Sequence, residues 1–144
     1  MEIHQESVQL PALKRGFHLI THLVETRLHG LQKVSSGMAQ IFIQHTSASL
    51  TLNENADPTV RADFENHFNH MVPENQPYYR HTLEGPDDMP AHIKASLLGS
   101  SVIIPVTNGA FNLGTWQGIY LCEHRDYASG RKLVITIFGN VAHQ

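Results

Sequence analysis

Three short apolar segments in the last third of the chain restrict the fold more than any other sequence feature. They span Ser101–Val106, Gly118–Cys122 and Leu133–Phe138, and turns that contain glycine separate them. The pair Asn108–Gly109 suits the tight type I′ turn of a β-hairpin. Consecutive strands joined by short turns pair antiparallel, so the sequence predicts a mostly antiparallel sheet at this end of the chain.

The first helical pattern begins at Gly16. Apolar residues follow at spacings of three and four, which places them on one face of a helix. We therefore predict a helix from Gly16 to Gly30, followed by a turn at Ser35–Gly37. The residues on the apolar face are Phe17, Ile20, Val24, Leu28 and Leu31.

Two further helices are marked by the residues at their ends. Asp57 is a typical N-cap and Pro58 suits the first helical position, so a helix is predicted from there to Pro73. A shorter helix is predicted over Pro90–Leu98, because Gly99 is typical of the position after a helix C-terminus.

The remaining segments predict strands and set the fold class. Ala39–Ile43 alternates in hydropathy, Thr46–Leu52 continues as an extended segment, and Ser7–Leu10 is a candidate edge strand. We expect one α+β domain over residues 1–144, with packed, mostly antiparallel β-sheets, two main helices and one short helix.

Composition limits the partners of the chain. The formal net charge is -3 and basic residues form no stripe, so nucleic acid is not an expected partner. An apolar run of about 18 residues, the length needed to span a membrane, is missing. The single cysteine, Cys122, lies in an apolar segment and predicts a buried thiol. The start of the chain has no leader pattern, so a cytoplasmic location is predicted.

Histidine is strongly enriched, at 11 of 144 residues. The imidazole is a common transition-metal ligand and titrates near neutral pH. His45 follows a predicted strand and precedes the hydroxyls of Thr46 and Ser47, which could cap backbone groups or hold a phosphate. The alternative for His45 is a strand-end histidine whose hydrogen bonds are all made within the fold.

The polar loop over residues 74–90 carries a second histidine group. Asp88 and His92 are four residues apart, so a helix that begins near Met89 would place both on one face. His81 lies seven residues before Asp88, across a Gly–Pro bend. Two histidines and one carboxylate form a common open ligand set for divalent metals. A solvated acidic loop is the alternative.

Other polar residues stand beside predicted turns and strand ends. Asn53 and Glu54 precede the helix at Asp57 without being needed to cap it, and helix N-termini bind anions. Trp116 lies between two glycines, where it could border a ligand or anchor a hairpin. Glu123 could act as a base or ligand, and Arg125 could clamp phosphate oxygens together with Arg131. The alternative for Asn53 and Glu54 is a solvated loop, and the alternative for Glu123, Arg125 and Arg131 is a set of surface salt bridges.

Three of these segments together resemble one family. His45–Arg61, Ala91–Gly99, and Leu113–Gly118 with Glu123 are similar to the signatures of the YjbQ-like family, also called the secondary thiamine-phosphate synthase family. The resemblance implies an α+β fold of packed antiparallel sheets, usually in a homotrimer. It also implies that hydroxymethylpyrimidine diphosphate and thiazole phosphate are joined with release of pyrophosphate. Matching family site positions are His45, Glu54, His81, Asp88, His92 and Glu123.

We therefore expect one site that holds a divalent metal ion, Mg²⁺ or Zn²⁺, and a small phosphorylated substrate. Because its residues lie at strand ends and in a long loop, the site is expected to straddle neighbouring subunits of a trimer. The alternatives are a trimeric metal- or phosphate-binding protein without turnover and a metal-dependent hydrolase. The expected metal ligands are His45, His81, His92 and Asp88, the catalytic residues are Glu54, Glu123 and His45, and the substrate contacts are Thr46, Ser47, Asn53, Lys94, Trp116 and Arg125.

Overall fold

Two antiparallel sheets form the body of the protein in the computed structural model, which describes residues 1–142. Residues 143 and 144 of the predicted domain lie outside that range. The large sheet contains β1 (Glu2–Gln9), β3 (Val34–Ile43), β5 (Ser101–Thr107), β6 (Ala110–Phe111) and β8 (Lys132–Val141), in the order β1-β8-β3-β5-β6. The small sheet contains β2 (Gly16–Leu19), β4 (Ala48–Glu54) and β7 (Gln117–Glu123), in the order β2-β7-β4.

Three helices accompany the sheets within the described residues. They are α1 (Thr21–Arg27), α2 (Pro58–Met71) and α3 (Asp88–Leu98), and a 3-10 turn covers Leu31–Lys33. The predicted α+β class with packed antiparallel sheets is confirmed. No helix within residues 1–142 is both long and apolar enough to cross a membrane.

The two sheets pack face to face around the main core. Ile41 and Ile135 of the large sheet and Leu50 and Leu121 of the small sheet are all buried in it. Helices α2 and α3 pack on the other side of the small sheet, which therefore lies between them and the large sheet, whereas Val24 of α1 is buried in the main core. On the helical side, Phe17 packs against Phe64 and Phe68 of α2, with ring centroids 5.2 and 5.7 Å apart.

The prediction of a helix from Gly16 to Gly30 is wrong at its start. Gly16–Leu19 forms β2, which pairs with β7, and the helix covers only Thr21–Arg27. The apolar residues of the pattern are all buried, as expected. Phe17 lies in β2, Val24 in α1 and Leu31 in the 3-10 turn. Residues from three different elements therefore produce the spacing that is typical of one helix face.

The predicted turn at Ser35–Gly37 is also wrong, because these residues belong to β3. A Cβ at Gly37 would collide with the carbonyl oxygen of Phe138 in β8, so glycine permits this close strand pairing.

The residues that mark helix ends gave more reliable predictions. The carboxylate of Asp57 accepts a hydrogen bond from the Thr59 amide at 2.9 Å, and α2 begins at Pro58. Gly99 ends α3, which starts two residues before the predicted Pro90, at Asp88.

Candidate metal centre

His81, Asp88 and His92 come together where the loop after α2 meets the start of α3. The Oδ2 atom of Asp88 lies 2.6 Å from Nε2 of His81 and 3.1 Å from Nε2 of His92. One ligand atom from each residue lies within 4.8 Å of the other two. Since α3 begins at Asp88, residues 88 and 92 share one helix face, and the structure brings these three predicted ligands together.

The Thr46 carbonyl orients the ring of His92. Nδ1 of His92 lies 2.9 Å from this carbonyl oxygen, which can only accept a hydrogen bond, so Nδ1 carries the proton. In a neutral imidazole the Nε2 lone pair then faces the Asp88 carboxylate. Two electron-pair donors at 3.1 Å require a cation between them, either a proton or a metal ion. Metal-binding histidines commonly donate their second N–H to a backbone carbonyl in this way.

Asp88 is held as an anion. Burial opposes its charge, but the hydrogen bond from His81 and the positive charge of Arg125 lower the pKa of Asp88 below its usual value. Arg125 donates from Nη1 to Oδ1 of Asp88 at 2.6 Å, which leaves Oδ2 for the histidines. The position of Asp88 in the first turn of α3 adds the favourable field of the helix N-terminus.

Arg125 makes several hydrogen bonds within the chain. Its Nε donates to Oδ2 of Asp87 at 2.8 Å, and its Nη2 donates to the Glu84 carbonyl at 3.0 Å. The carboxylates of Asp87 and Asp88 raise the pKa of the Arg125 guanidinium, with Asp87 as the main cause. Arg125 therefore positions the carboxylate of Asp88. Its predicted contact with phosphate stays a prediction and would require exchange of a carboxylate partner.

His45 lies near this group but outside it. Its Nε2 accepts a hydrogen bond from the Lys132 amide at 2.8 Å, the alternative that the sequence left open. Partial burial and the charge of Arg131 lower the pKa of His45 and favour the neutral ring. His45 and Thr46 line a recess of about 280 Å³ that Ser96 of α3 also borders. In one chain, His45 therefore borders a recess rather than joining the three-ligand group.

Glu123 is buried in an ion pair. Arg131 donates to its two carboxylate oxygens at 2.7 and 2.6 Å, and Glu123 is only 1 % exposed. The same guanidinium donates to the Ser47 hydroxyl at 3.0 Å and so fixes the loop before β4. A carboxylate paired on both oxygens is not free to act as a base. The sequence marked Arg131 as a phosphate clamp, and the structure gives it this structural role.

Asn53, Glu54 and Trp116 lie away from the group of His81, Asp88 and His92 in the described chain. Ala48 pairs with Glu123 at one end of the small sheet, and Glu54 pairs with Gln117 at the other. Six residues of extended strand separate those ends by about 20 Å. Within one chain, the course of β4 therefore separates these three residues from the three-ligand group, and their expected role in a site shared between subunits stays a prediction.

Glu54 has a structural role that the sequence analysis missed. Its carboxylate accepts hydrogen bonds from the amides of Ala56 at 3.2 Å and Asp57 at 2.9 Å, in the turn that leads into α2. Trp116 is 64 % exposed in the turn before β7, and its carbonyl accepts from the Asn55 amide at 2.9 Å. Asn53 accepts from the amide of Glu54 at 2.8 Å.

Lys94 lies on the buried side of α3. It is 1 % exposed, and its Nζ donates to Oδ1 of Asn69 at 2.6 Å. Burial and the nearby charge of Arg15 lower its pKa. An ammonium enclosed between α2 and α3 is not presented to a phosphate, so the expected substrate contact is not formed in this chain.

A buried pair that the sequence analysis did not identify joins β4 to the end of β7. The hydroxyl of Ser49 lies 2.8 Å from Nε2 of His124, and both residues are at most 1 % exposed. Burial lowers the pKa of His124 to about 3, so the ring is neutral at pH 7. The neighbouring Cys122 is buried as predicted, and burial raises its pKa to about 12. Only the register of β4 against β7 could have revealed this pair.

The fold and the site together define an α+β sandwich with a two-histidine, one-aspartate centre beside its smaller sheet. The chain belongs to the YjbQ-like family, whose model, described as UPF0047 protein YjbQ-like, matches residues 6–140. The family predicted from the sequence segments is therefore confirmed.

Curated relatives match nearly the whole chain. The UPF0047 protein YjbQ of Salmonella typhimurium is 52% identical over 136 residues, which cover 94% of this chain and 98% of the relative. The protein of the same name from Escherichia coli O157:H7 is 48% identical over the same shares of both chains.

Solved structures show the same fold. A YjbQ/UPF0047 family protein from Clostridium acetobutylicum is 40% identical, with a TM-score of 0.78 over 94% of this chain and 99% of that one. A YbjQ-like protein from Sulfolobus solfataricus P2 has a TM-score of 0.83 at 24% identity, over 96% of this chain and 99% of that one, and supports the fold alone.

Proposed function

We propose that the protein is a metal-assisted transferase that joins hydroxymethylpyrimidine diphosphate to thiazole phosphate and releases pyrophosphate. The substrates follow from the family resemblance, and the observation that carries the chemistry is the facing donor set of His81, Asp88 and His92. A divalent cation held there would neutralise the charge that develops on a diphosphate leaving group. Two imidazoles and a carboxylate favour Zn²⁺, Mn²⁺ or Fe²⁺ over Mg²⁺, which prefers oxygen ligands.

Recesses on two sides of the three-ligand group support a reaction between two substrates. His45, Thr46 and Ser96 border the recess of about 280 Å³ on the side of His92. His81 itself lines a second recess of about 190 Å³, together with Tyr79 and Met89. Thr46, which borders the first recess, contacts His92 through its carbonyl, and His81 lines the second, so both recesses adjoin the three-ligand group.

The proposed reaction needs charge neutralisation more than proton transfer. The bond that forms joins the pyrimidine methylene carbon to the thiazole nitrogen, and the bond that breaks joins that carbon to the diphosphate oxygen. The nitrogen attacks with a lone pair and carries no proton, while the diphosphate leaves with the bonding electrons. A free carboxylate base is therefore not required, which is compatible with the pairing of Glu123 to Arg131.

We also propose the homotrimer that the resemblance implies, and the cytoplasm stays the predicted location. In such an assembly, the end of the small sheet that carries Asn53, Glu54 and Trp116 would approach the proposed metal centre of a neighbouring copy. A monomeric variant that kept full metal affinity and full activity would contradict this shared site.

A binding protein without turnover is the second candidate function. The pairing of Arg125 with Asp87 and Asp88, and of Glu123 with Arg131, favours it, because these charged groups are already paired within the chain. Such a protein would hold a metal ion and a phosphorylated molecule through the same residues. A metal-dependent hydrolase, the third alternative, would need in addition a base to activate water.

Pyrophosphate release from the two substrates tests the proposal directly. The full chain would be assayed with both substrates and with Mg²⁺, Mn²⁺ or Zn²⁺ in turn. We expect release that falls at least about 100-fold in His92→Ala, the scale of loss for a group that stabilises charge in the transition state. His67→Ala, an exposed position on α2, is the matched control and should retain the wild-type rate. Equal rates in His92→Ala and wild type would reject the transferase, and metal binding without release would favour the binding protein.

A further inference from the structure

Arg15, the residue directly before β2, contacts four side chains from separate parts of the chain. In α2, its Nε donates to Oε1 of Glu65 at 3.2 Å and its Nη2 donates to Oδ1 of Asn69 at 2.7 Å. Its Nη1 donates to Oε2 of Glu74 at 2.9 Å and to Oδ1 of Asp126 at 3.2 Å. The side chain of Arg15 is only 17 % exposed. All three nitrogens of this guanidinium therefore have acceptors within the chain.

The contact with Glu74 fixes the start of the loop that carries His81. Helix α2 ends at Met71, and the loop continues to the start of α3 at Asp88. His81 lies seven residues after Glu74 and seven residues before Asp88. Since α3 holds the far end of the loop, the ion pair with Glu74 at the near end limits the conformations that the chain around His81 can adopt.

The contact with Asp126 fixes the segment after β7 that carries Arg125. Asp126 directly follows Arg125, whose guanidinium holds the carboxylate of Asp88. The backbone amide of Asp126 donates to Oδ2 of Asp87 at 2.9 Å, and the same oxygen accepts from Nε of Arg125 at 2.8 Å. By holding the side chain of Asp126, Arg15 supports the groups that orient the carboxylates at the start of α3.

A third connection leads from Arg15 to α3 through Asn69. Oδ1 of Asn69 accepts from Nη2 of Arg15 at 2.7 Å and from Nζ of Lys94 at 2.6 Å. Its Nδ2 donates to Oε1 of Glu65 at 3.1 Å, which leaves the amide oxygen for the two cations. Lys94 lies in α3, two residues after His92. The helix that carries two of the three candidate ligands is therefore attached to α2 beside Arg15.

We propose that Arg15 is a positioning residue of the proposed metal centre, because it holds the loop, the helix and the segment after β7 that together form it. This role rests on the proposed function, since it concerns the same three ligands. Arg15 forms no hydrogen bond with His81, Asp88 or His92 in the described chain, so it acts on them through its partners. Partners that orient metal ligands contribute 10- to 100-fold in metal affinity, and Arg15 lies one contact beyond them, so we expect about 10-fold.

A lysine cannot replace this guanidinium without loss. Arginine presents five N–H donors in a fixed plane, whereas the lysine ammonium has three donors at one point. The acceptors of Arg15 are distributed over all three of its nitrogens. Arg15→Lys therefore keeps a positive charge among Glu65, Glu74 and Asp126 but loses part of the contact geometry.

Isothermal titration of the metal-free full chain with Zn²⁺ tests this role. We expect Arg15→Lys to bind Zn²⁺ about 10-fold more weakly than wild type, because the loop and the helix lose their fixed arrangement. Glu74→Gln, at a partly exposed position where folding should tolerate the change, removes only the loop ion pair and should also weaken binding. Val24→Ala is the control for lost stability alone, since Val24 is buried in the main core, and it should keep the wild-type affinity.

Two further measurements separate positioning from a loss of stability. Circular dichroism would verify that each variant is folded. Co²⁺ in place of Zn²⁺ gives a visible absorption spectrum that depends on ligand geometry. We expect this spectrum to change in Arg15→Lys and to match that of wild type in Val24→Ala.

Weaker Zn²⁺ binding and an altered Co²⁺ spectrum in folded Arg15→Lys or Glu74→Gln, with Val24→Ala unchanged, would support the positioning role. Folded Arg15→Lys and Glu74→Gln that bind Zn²⁺ as tightly as wild type would overturn it, and so would an equal loss of affinity in Val24→Ala. Wild type that binds neither ion would reject the metal centre itself, and the role of Arg15 with it.

Discussion

His92 illustrates what spacing in the sequence can and cannot predict about a single residue. A separation of four residues from Asp88 predicted a shared helix face, and local helix geometry was enough for that prediction. The hydrogen bond from His92 to the Thr46 carbonyl joins residues 46 positions apart. No local pattern encodes that contact, although it fixes the tautomer and points Nε2 toward Asp88.

The buried ring of His124 gives a pH-dependent prediction at the same scale. Its pKa is about 3 in the folded protein and 6.5 when exposed, so between these values only the unfolded chain binds the proton. The contribution of neutral His124 to the free energy of unfolding is therefore complete above pH 6.5 and decreases as the pH falls toward 3. The slope for one proton is at most about 1.4 kcal/mol per pH unit.

Urea denaturation between pH 4 and 7 would measure this slope. In His124→Phe the position no longer titrates, so the free energy of unfolding should fall less steeply with decreasing pH than in wild type. His67→Phe, which changes an exposed histidine on α2, should retain the wild-type slope. Identical slopes for His124→Phe and wild type would show that His124 does not titrate in this way.

The loop between β3 and β4 is the element on which the site depends. Arg131 donates to the Ser47 side chain at 3.0 Å and to its carbonyl at 3.3 Å, and the preceding carbonyl of Thr46 orients His92. Glu123 in turn holds Arg131 through both carboxylate oxygens. The sequence placed these residues at strand ends, but only the packing of the two sheets brings β7, β8 and the loop together.

Removing Arg131 should therefore destabilise the protein strongly. In Arg131→Ala the buried carboxylate of Glu123 loses its partner, and breaking a buried pair costs about 3–5 kcal/mol in the free energy of unfolding. Urea denaturation of the single variants Arg131→Ala and Glu123→Ala and of the double variant would measure the coupling. The double variant should lose clearly less than the sum of the single losses. Additive losses would mean that the pair contributes no interaction of its own.

The elements themselves were predictable where the chain carries a local end signal. Asp57 and Pro58 marked the start of α2, and Gly99 marked the end of α3. The helix predicted from Gly16 failed because burial alone does not identify an element. Phe17 is buried in β2, Val24 in α1 and Leu31 in the 3-10 turn, and only strand pairing with β7 distinguishes the first from a helical residue.

At the scale of the whole molecule, the small sheet separates two groups that the sequence placed in one site. One end of the β4–β7 pair carries Glu123 and lies near His81, Asp88 and His92. The other end carries Glu54. Antiparallel register determines this separation, and a single sequence does not specify register between distant strands. The fold class was predictable from hydropathy patterns, whereas register decides which of the predicted residues lie together within one chain.

Zinc binding tests the central claim, that His81, Asp88 and His92 hold a divalent metal ion. Isothermal titration of metal-free protein with Zn²⁺ would compare wild type, Asp88→Asn and the matched control Asp63→Asn, an exposed carboxylate on α2. We predict saturable binding in wild type and in Asp63→Asn, and an affinity at least about 100-fold lower in Asp88→Asn, since even outer-shell partners contribute 10- to 100-fold. Wild type that does not bind Zn²⁺, or Asp88→Asn that binds it as tightly as wild type, would contradict the account.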